Sequence, residues 1–148
     1  MKIRVKGIKR LSSRLNRMNK AYEKAAEDIL LEGALKLQEE MRNSIQKGSK
    51  TGRRYKHGTV THQASAAGEA PASDTGTLAA SIHPRKGKKK LQYFSGSNQG
   101  QGTKYAKSLE FGTRNIAPRP FVKPAFDKWH DKIKKALKRA IQNAAKRK

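Results

Sequence analysis

The chain has 148 residues, of which 34% are hydrophobic, and this predicts one domain with a modest core. It carries 35 Lys and Arg against 11 Asp and Glu, and the resulting formal net charge of +24 predicts affinity for polyanions or acidic protein surfaces. The chain lacks cysteine, which excludes disulfides and thiolate metal sites, and it lacks a membrane-length apolar run or an apolar segment after its basic N-terminus, so we expect no membrane partner and no signal peptide.

The first third of the chain predicts a long helix that follows a short strand. Residues 2–6 alternate charged and apolar side chains, which is typical of a half-buried strand. From Ile8 to Ile45, apolar residues recur three or four positions apart, which predicts a helix over about the same span. This helix either continues through Asn19 or restarts there.

The charges of this long helix are unevenly distributed. Six of the eleven acidic residues lie between positions 23 and 40, whereas the first twenty residues contain eight basic groups and no acid. We favour the interpretation that the acidic side is a solvated helix face. The alternative is that it meets the basic arm of a neighbouring copy.

The segment 47–73 predicts a flexible loop, because periodicity disappears and Gly, Pro, Ser, Thr and Ala dominate. Loops of such length are usually functional or disordered, so we expect this one to become ordered only against a partner. A short helix is predicted over 74–82, with Ser73 or Asp74 as its N-terminal cap and Pro84 as its end.

The second half predicts a hairpin, a short helix and a long helix. The basic cluster at 85–90 lies between two extended runs and contains a glycine, which indicates a hairpin turn. A short helix over 104–110, a sharp turn at Gly112 and an extended Pro-rich passage follow. An amphipathic helix then runs from about 121 to 145, and the chain ends in a basic tail at 142–148.

These elements together predict a single α+β domain over residues 1–148. In this fold, the long N-terminal helix and the C-terminal amphipathic helix pack on a small antiparallel sheet, and the 47–73 loop is mobile.

Patterns that would support catalysis are weak. The Asp-Thr-Gly tripeptide at 74–76 occurs in aspartic proteases, but their chemistry needs it at the end of an apolar strand, where two carboxylates share a proton. The four histidines lack the spacing of a zinc hydrolase, and no Gly-rich phosphate loop is present. We therefore expect a protein that is not an enzyme and has no cofactor, no metal site and no small-molecule substrate.

The basic clusters make nucleic-acid binding the alternative function. They lie at 2–20, 47–56, 85–90 and 128–148. Tyr93 and Phe94 are next to one cluster, where aromatic rings can stack on bases. Because no recognised reader module is present, the alternative is a small basic protein that binds nucleic acid without sequence specificity.

Three stretches carry a resemblance to one family. They are APASDTGTLAASI at 70–82, YAKSLEFGT at 105–113 and PRPFVKPAF at 118–126, the last of which leads into a long amphipathic helix. In order and spacing, over roughly residues 20–145, the chain resembles the tailed-phage neck and tail-completion proteins. These are the gene product ten tail components of Hong Kong 97-type siphophages, which are related to the minor tail protein Z of lambda-like phages.

The resemblance implies a structural virion protein of the head–tail junction, made in the cytoplasm of the bacterial host. Such a protein would assemble with other neck and tail proteins as a ring, expected to be a hexamer, around the DNA channel.

Within such a ring, we expect the turn around Gly112 to form or support the subunit contact. The predicted interface residues are Glu110, Phe111, Gly112, Thr113, Arg119, Pro120 and Phe121. The alternative is that Phe111 and Phe121 belong to the core. The hairpin cations are expected to face genomic DNA in the channel or an acidic partner, and they are Arg85, Lys86, Lys88, Lys89 and Lys90.

Overall fold

The computed structural model describes residues 7–97 and 105–146, and these form an α+β fold as predicted. The predicted strand at 2–6 and the first residue of the predicted helix at 104–110 lie outside these ranges. The elements are, in order, α1 (Ile8–Lys47), β1 (Arg54–His57), β2 (Val60–Gln63), α2 (Thr77–Ser81), β3 (Ile82–Lys86), β4 (Tyr93–Ser97), α3 (Ala106–Phe111) and α4 (Val122–Lys146).

Helix α1 is continuous and about 60 Å long at 1.5 Å per residue. Its 40 residues contain no proline, and of the two alternatives predicted at Asn19 the helix continues and does not restart. The helix ends where the amide of Gly48 donates a hydrogen bond to the carbonyl oxygen of Ser44 at 3.0 Å. No residue of the helix before Ala26 is buried, and its buried residues are Ala26, Gly33, Ala34, Met41 and Ile45.

Helix α4 runs antiparallel to α1 and covers only part of it. Gly33 lies against Ile133, whereas Lys128 reaches Glu40 seven residues further along α1. A Cβ atom at Gly33 would lie 2.9 Å from Cδ1 of Ile133, so the two helices approach closely at this glycine. At the same register, the end of α4 at Lys146 falls opposite about residue 20 of α1. The first three turns of α1 therefore extend beyond their partner helix.

Two separate antiparallel hairpins take the place of the single small sheet that the sequence predicted. In one hairpin, β1 pairs with β2 from Arg54 opposite Gln63 to His57 opposite Val60. The prediction that 47–73 has no regular structure is thus wrong for these residues. Their side chains are mostly polar and their turn begins with Gly58 at φ 64°, so the strands pair through the backbone without an apolar alternation.

The second hairpin confirms the turn predicted for the 85–90 cluster, with β3 paired to β4 from Ile82 opposite Ser97 to Lys86 opposite Tyr93. The details predicted for α2 are wrong. Its N-terminal cap is Gly76, without a side-chain cap hydrogen bond. The helix ends at Ser81 because β3 begins at the next residue, so Pro84 lies inside a strand and does not terminate the helix.

The core lies where α1, α2, β3 and the start of α4 meet. Its buried members are Met41, Ile45, Leu78, Ala79, Ile82, Phe121 and Ala125. Side chains of α1 also bind the first residue of β3, because Gln38 and Arg42 both donate hydrogen bonds to the carbonyl oxygen of Ile82, at 2.9 and 2.8 Å. Among the described residues, no helix combines the length and apolarity that crossing a membrane requires.

Candidate assembly interface

The predicted interface residues lie in the irregular passage between α3 and α4. Helix α3 ends at Gly112, which has φ 73° and ψ 175°, a conformation essentially restricted to glycine. A Cβ atom there would lie 2.9 Å from the carbonyl oxygen of Ile116. The chain turns back at once, because the amide of Thr113 donates to the same oxygen at 2.8 Å.

Glu110 forms the N-terminal cap of α4 across this turn. Its Oε2 accepts hydrogen bonds from the amides of Phe121 at 2.8 Å and Val122 at 2.9 Å, and its Oε1 accepts one from the amide of Lys123 at 2.9 Å. These amides have no partner within the helix, and a carboxylate there also interacts favourably with the helix dipole. Glu110 therefore supports the junction within its own chain.

Arg119 and Pro118 hold the Pro-rich passage against the loop that follows β2. The amide of Arg119 donates to the carbonyl oxygen of Leu109 at 2.6 Å, and its Nε donates to the carbonyl oxygen of Ser65 at 3.2 Å. The carbonyl oxygen of Pro118 accepts a hydrogen bond from the amide of Gly68 at 2.9 Å. Pro120, the next residue after Arg119, is half-buried.

The two aromatic residues of the predicted interface differ in burial. Phe121 is 2% exposed and belongs to the core cluster, as the alternative interpretation proposed for it. Phe111 is 75% exposed, and the apolar residues Ile116, Val122 and Phe126 of the same junction are also exposed. The structure thus brings the seven predicted residues together in one internally braced turn that presents Phe111 to the surface.

The hairpin cations fall into two groups. Lys86 and Lys90 form ion pairs with Glu27 and Glu23 of α1, so they attach the β3–β4 hairpin to the helix. Tyr93 donates a hydrogen bond from its hydroxyl to Oε1 of Glu27 at 3.1 Å. Part of the acidic side of α1, expected to be solvated or to meet a neighbour, is therefore used within the chain.

The remaining three cations of this cluster, Arg85, Lys88 and Lys89, are exposed. None of them has an ion-pair partner within residues 7–97 and 105–146. They are the members of the cluster that remain available to an acidic partner.

These contacts shift the ionisation of the groups involved. The hydrogen bonds from Lys86 and Tyr93 hold the pKa of Glu27 below its ordinary value of 4.5. The carboxylate of Glu27 raises the pKa of Lys86 above 10.5, while burial first and the hydrogen bond to Glu27 second raise the pKa of Tyr93 above 10.0. The shifts of Glu27 and Lys86 favour a charged pair around neutral pH, and the shift in the pKa of Tyr93 keeps its hydroxyl protonated as a donor.

A second link of the same kind holds α4 to α1. Nζ of Lys128 lies 2.7 Å from Oε1 of Glu40, and Nε1 of Trp129 donates to Oε2 at 3.4 Å. The hydrogen bond from Lys128 is the main cause that lowers the pKa of Glu40 below 4.5.

An open cavity of about 320 Å³ borders this junction, lined in part by Tyr55, Ser65, Asp74 and Arg119. Oδ1 of Asp74 lies 2.9 Å from Nδ1 of His62, and the carboxylate is on the surface, in the loop before α2. The described residues contain no group of three or more His, Cys, Asp or Glu side chains placed to hold a metal ion.

One surface was not identified from the sequence. Ile8, Leu11 and Leu15 at the start of α1 are more than half exposed, although their helical spacing is that of a buried stripe. The sequence could have indicated this surface through the lengths of the two helices, because the apolar stripe of α1 continues for more turns than α4 can cover.

Comparison of the chain with protein-family models, with curated proteins and with solved structures found no match.

Proposed function

We propose that this chain is a structural virion protein of the phage head–tail junction. It would assemble as a ring with other neck and tail proteins, join the tail to the head around the DNA channel, and remain in the finished virion.

The arrangement of the three stretches that resemble the neck family supports this proposal. The stretch 70–82 contributes Leu78, Ala79 and Ile82 to the core cluster, and 118–126 contributes Phe121 and Ala125. The stretch 105–113 packs Ala106 and Leu109 against the same cluster. The three stretches are separated in the sequence but pack around one core cluster. This is expected if they form the common pattern of one family.

The observation that carries an assembly role is that the chain exposes apolar residues which a solitary domain would bury. Among the residues that the structure describes, the largest fully buried side chains are Met41, Ile45 and Ile82, whereas Leu15 and Phe111 are more than half exposed. Exposed apolar surface of this kind marks interaction sites, and binding of a partner to the folded state stabilises it by mass action.

The experiment is to delete the coding sequence of this chain from a phage or prophage genome that carries it, and to image the products by negative stain. We expect DNA-filled heads and finished tails that are not joined, and restoration of joined particles when the intact chain is supplied from a plasmid. Joined, infectious particles in the deletion would contradict the proposal.

Non-specific binding to nucleic acid is the second candidate, and the distribution of ion pairs favours it. Within the described residues, carboxylates pair with five lysines, namely Lys36, Lys86, Lys90, Lys123 and Lys128. Exposed lysines of α4 such as Lys134, Lys135 and Lys138 have no such partner there.

This second candidate predicts that the purified protein binds duplex DNA with an affinity that falls steeply as salt rises. Replacing Lys134, Lys135 and Lys138 together by Gln should weaken binding to all sequences alike and reduce the slope of log K against log salt by about 3. Replacing three paired lysines, Lys36, Lys123 and Lys128, is the matched control. Joining of heads to tails that survives the α4 replacement would separate DNA binding from the assembly role.

A further inference from the structure

The start of α1 is a helical arm whose apolar side has no partner among residues 7–97 and 105–146. We call residues 8–20 the basic arm. Leu11 is 59% exposed and Leu15 is 55% exposed, and Ile8 continues the same side of the helix. The arm contains five cations and no acid, and these are Lys9, Arg10, Arg14, Arg17 and Lys20.

A second exposed surface lies further along the same helix. We call Asp28, Leu31, Glu32, Leu35 and Glu39 the acidic face. These residues lie three or four positions apart and therefore share one side of α1. Leu31 is 41% exposed and Leu35 is 46% exposed.

The charges of the acidic face are largely unused within the chain. Glu39 pairs with Lys36 at 3.0 Å, at the surface. Asp28 and Glu32 have no ion-pair partner in the part of the chain that the structure describes. Their neighbours Glu23 and Glu27, in contrast, pair with the β3–β4 hairpin.

We propose that the basic arm of one copy docks on the acidic face of a second copy. This inference rests on the proposed function, since it identifies the contact between subunits of the ring. Leu11 and Leu15 are four residues apart, as are Leu31 and Leu35, so two helices laid side by side bring the two leucine pairs together. The cations of the arm then lie near Asp28 and Glu32, which compensates charges that are otherwise unpaired.

The two surfaces cannot meet within one chain. Leu15 and Leu35 are on one continuous helix and are separated by about 30 Å along its axis. An antiparallel pair of α1 helices would make both contacts at once and close as a two-fold dimer, so a ring requires parallel helices. The parallel contact is heterologous, and its repetition closes into a ring or continues as a filament. The parallel arrangement therefore yields a ring without any additional contact when the rotation between neighbouring copies closes.

The experiment uses the absence of cysteine in the natural chain. Leu15→Cys and Leu35→Cys are made as separate full-length variants, mixed and oxidised. Disulfides require Cα atoms less than about 7 Å apart, so they report direct contact. We expect a cross-linked dimer in the mixture that exceeds what either variant forms alone by at least about tenfold, a separation that corresponds to about 1.4 kcal/mol of preference.

The double variant L15C/L35C extends this test. It should form a ladder of cross-linked oligomers that stops at a fixed size if the ring closes. Asn143→Cys, exposed on α4, is the matched control, and its mixture with Leu15→Cys should give no dimer above background.

A charge exchange gives a second measurement that does not depend on the leucines. Asp28→Lys with Glu32→Lys should abolish association measured by sedimentation, and so should Arg14→Glu with Arg17→Glu. Mixing the two charge variants should restore association as oligomers in which the two variants alternate, because each retains one intact surface and gains one reversed surface. Circular dichroism checks that each variant folds.

Several outcomes would overturn the inference. They are a chain that is monomeric at all concentrations, dimers of Leu15→Cys alone from contact between two arms, and assembly that persists without the mixed cross-link. Recruitment of the arm to anionic vesicles or to DNA, with no association of copies, would also overturn it. If the mixed cross-link forms but heads and tails join normally without the chain, the proposed function fails while this contact stands.

Discussion

The two ends of α1 have the same sequence pattern and opposite surroundings. Leu15 and Met41 both belong to an apolar stripe of helical spacing, yet Leu15 is 55% exposed and Met41 is 1% exposed. The C-terminal end has α2, β3 and α4 around it, whereas the N-terminal end extends past the last residue of α4. An amphipathic stripe therefore predicts an apolar contact, but it does not show whether the partner belongs to the same chain.

The difference also explains how a chain of such high charge can fold. Its carboxylates are concentrated on α1 at positions where they bind lysines of the hairpin and of α4, as Glu27 does with Lys86 and Glu40 does with Lys128. The basic arm has no acid of its own, so its charge is left for a partner. The same helix thus provides both an internal scaffold and an external contact.

The largest expected loss of stability comes from a substitution at the buried C-terminal end of α1. Met41→Ala removes a side chain that is 1% exposed, and we expect it to lower the free energy of unfolding by about 2–5 kcal/mol. Leu15→Ala is the matched change in the arm, and it should alter the free energy of unfolding of the monomer by less than about 0.5 kcal/mol. Urea unfolding at low protein concentration measures both, and equal losses would show that the arm is packed within the monomer.

The next largest loss of stability is expected from a substitution at Gly112, in the turn between α3 and α4. Gly112→Ala forces a side chain into a backbone conformation essentially restricted to glycine and against Ile116, at an expected cost of about 1–3 kcal/mol. Gly58 also has positive φ but has open space around it, so Gly58→Ala is the control and should cost about 1 kcal/mol. Thermal unfolding compares the two, and an equal loss in both variants would mean that the space around Gly112 is unimportant.

Glu110 tests whether α4 depends on its cap. Glu110→Ala removes the acceptor of three backbone amides, and we expect a loss of about 1–2 kcal/mol in the free energy of unfolding. Asp127→Ala is the control, because within the described part of the chain the carboxylate of Asp127 forms an exposed ion pair with Lys123 on the same helix. Denaturant unfolding measures both. A folded Glu110→Ala protein of unchanged stability that no longer assembles would instead place this carboxylate at the subunit contact.

The sequence predicts the two long helices well because their stripes are long enough to identify the period. It does not predict the β1–β2 hairpin, since strands such as Arg54–His57 are polar and pair through their backbones. Nor does it identify Glu110 as a cap, because the capped helix begins twelve residues later and the cap exists only once the chain turns at Gly112. The seven residues named for the interface lie in one turn, but their roles within the chain depend on contacts that no local pattern encodes.

The smallest expected loss of stability concerns the ion pair between Glu27 of α1 and Lys86 of the β3–β4 hairpin. The pKa of Glu27 is lowered in the folded chain, so its contribution to stability is present above about pH 4.5 and is lost as the pH falls through the lowered value. The pKa of Lys86 is raised, so its contribution is present below 10.5 and is lost as the pH rises through the raised value. Glu27→Gln should therefore reduce stability at neutral pH and have little effect well below the lowered pKa.

Urea unfolding at a series of pH values compares the variant with the natural chain, and Glu39→Gln, which removes an ion pair between neighbours on one helix, is the control. The stability losses caused by Glu27→Gln and Glu39→Gln should differ less at high salt, because screening weakens exposed ion pairs. A difference between Glu27→Gln and the natural chain that persists undiminished at acid pH would mean that Glu27 acts through packing and not through its charge.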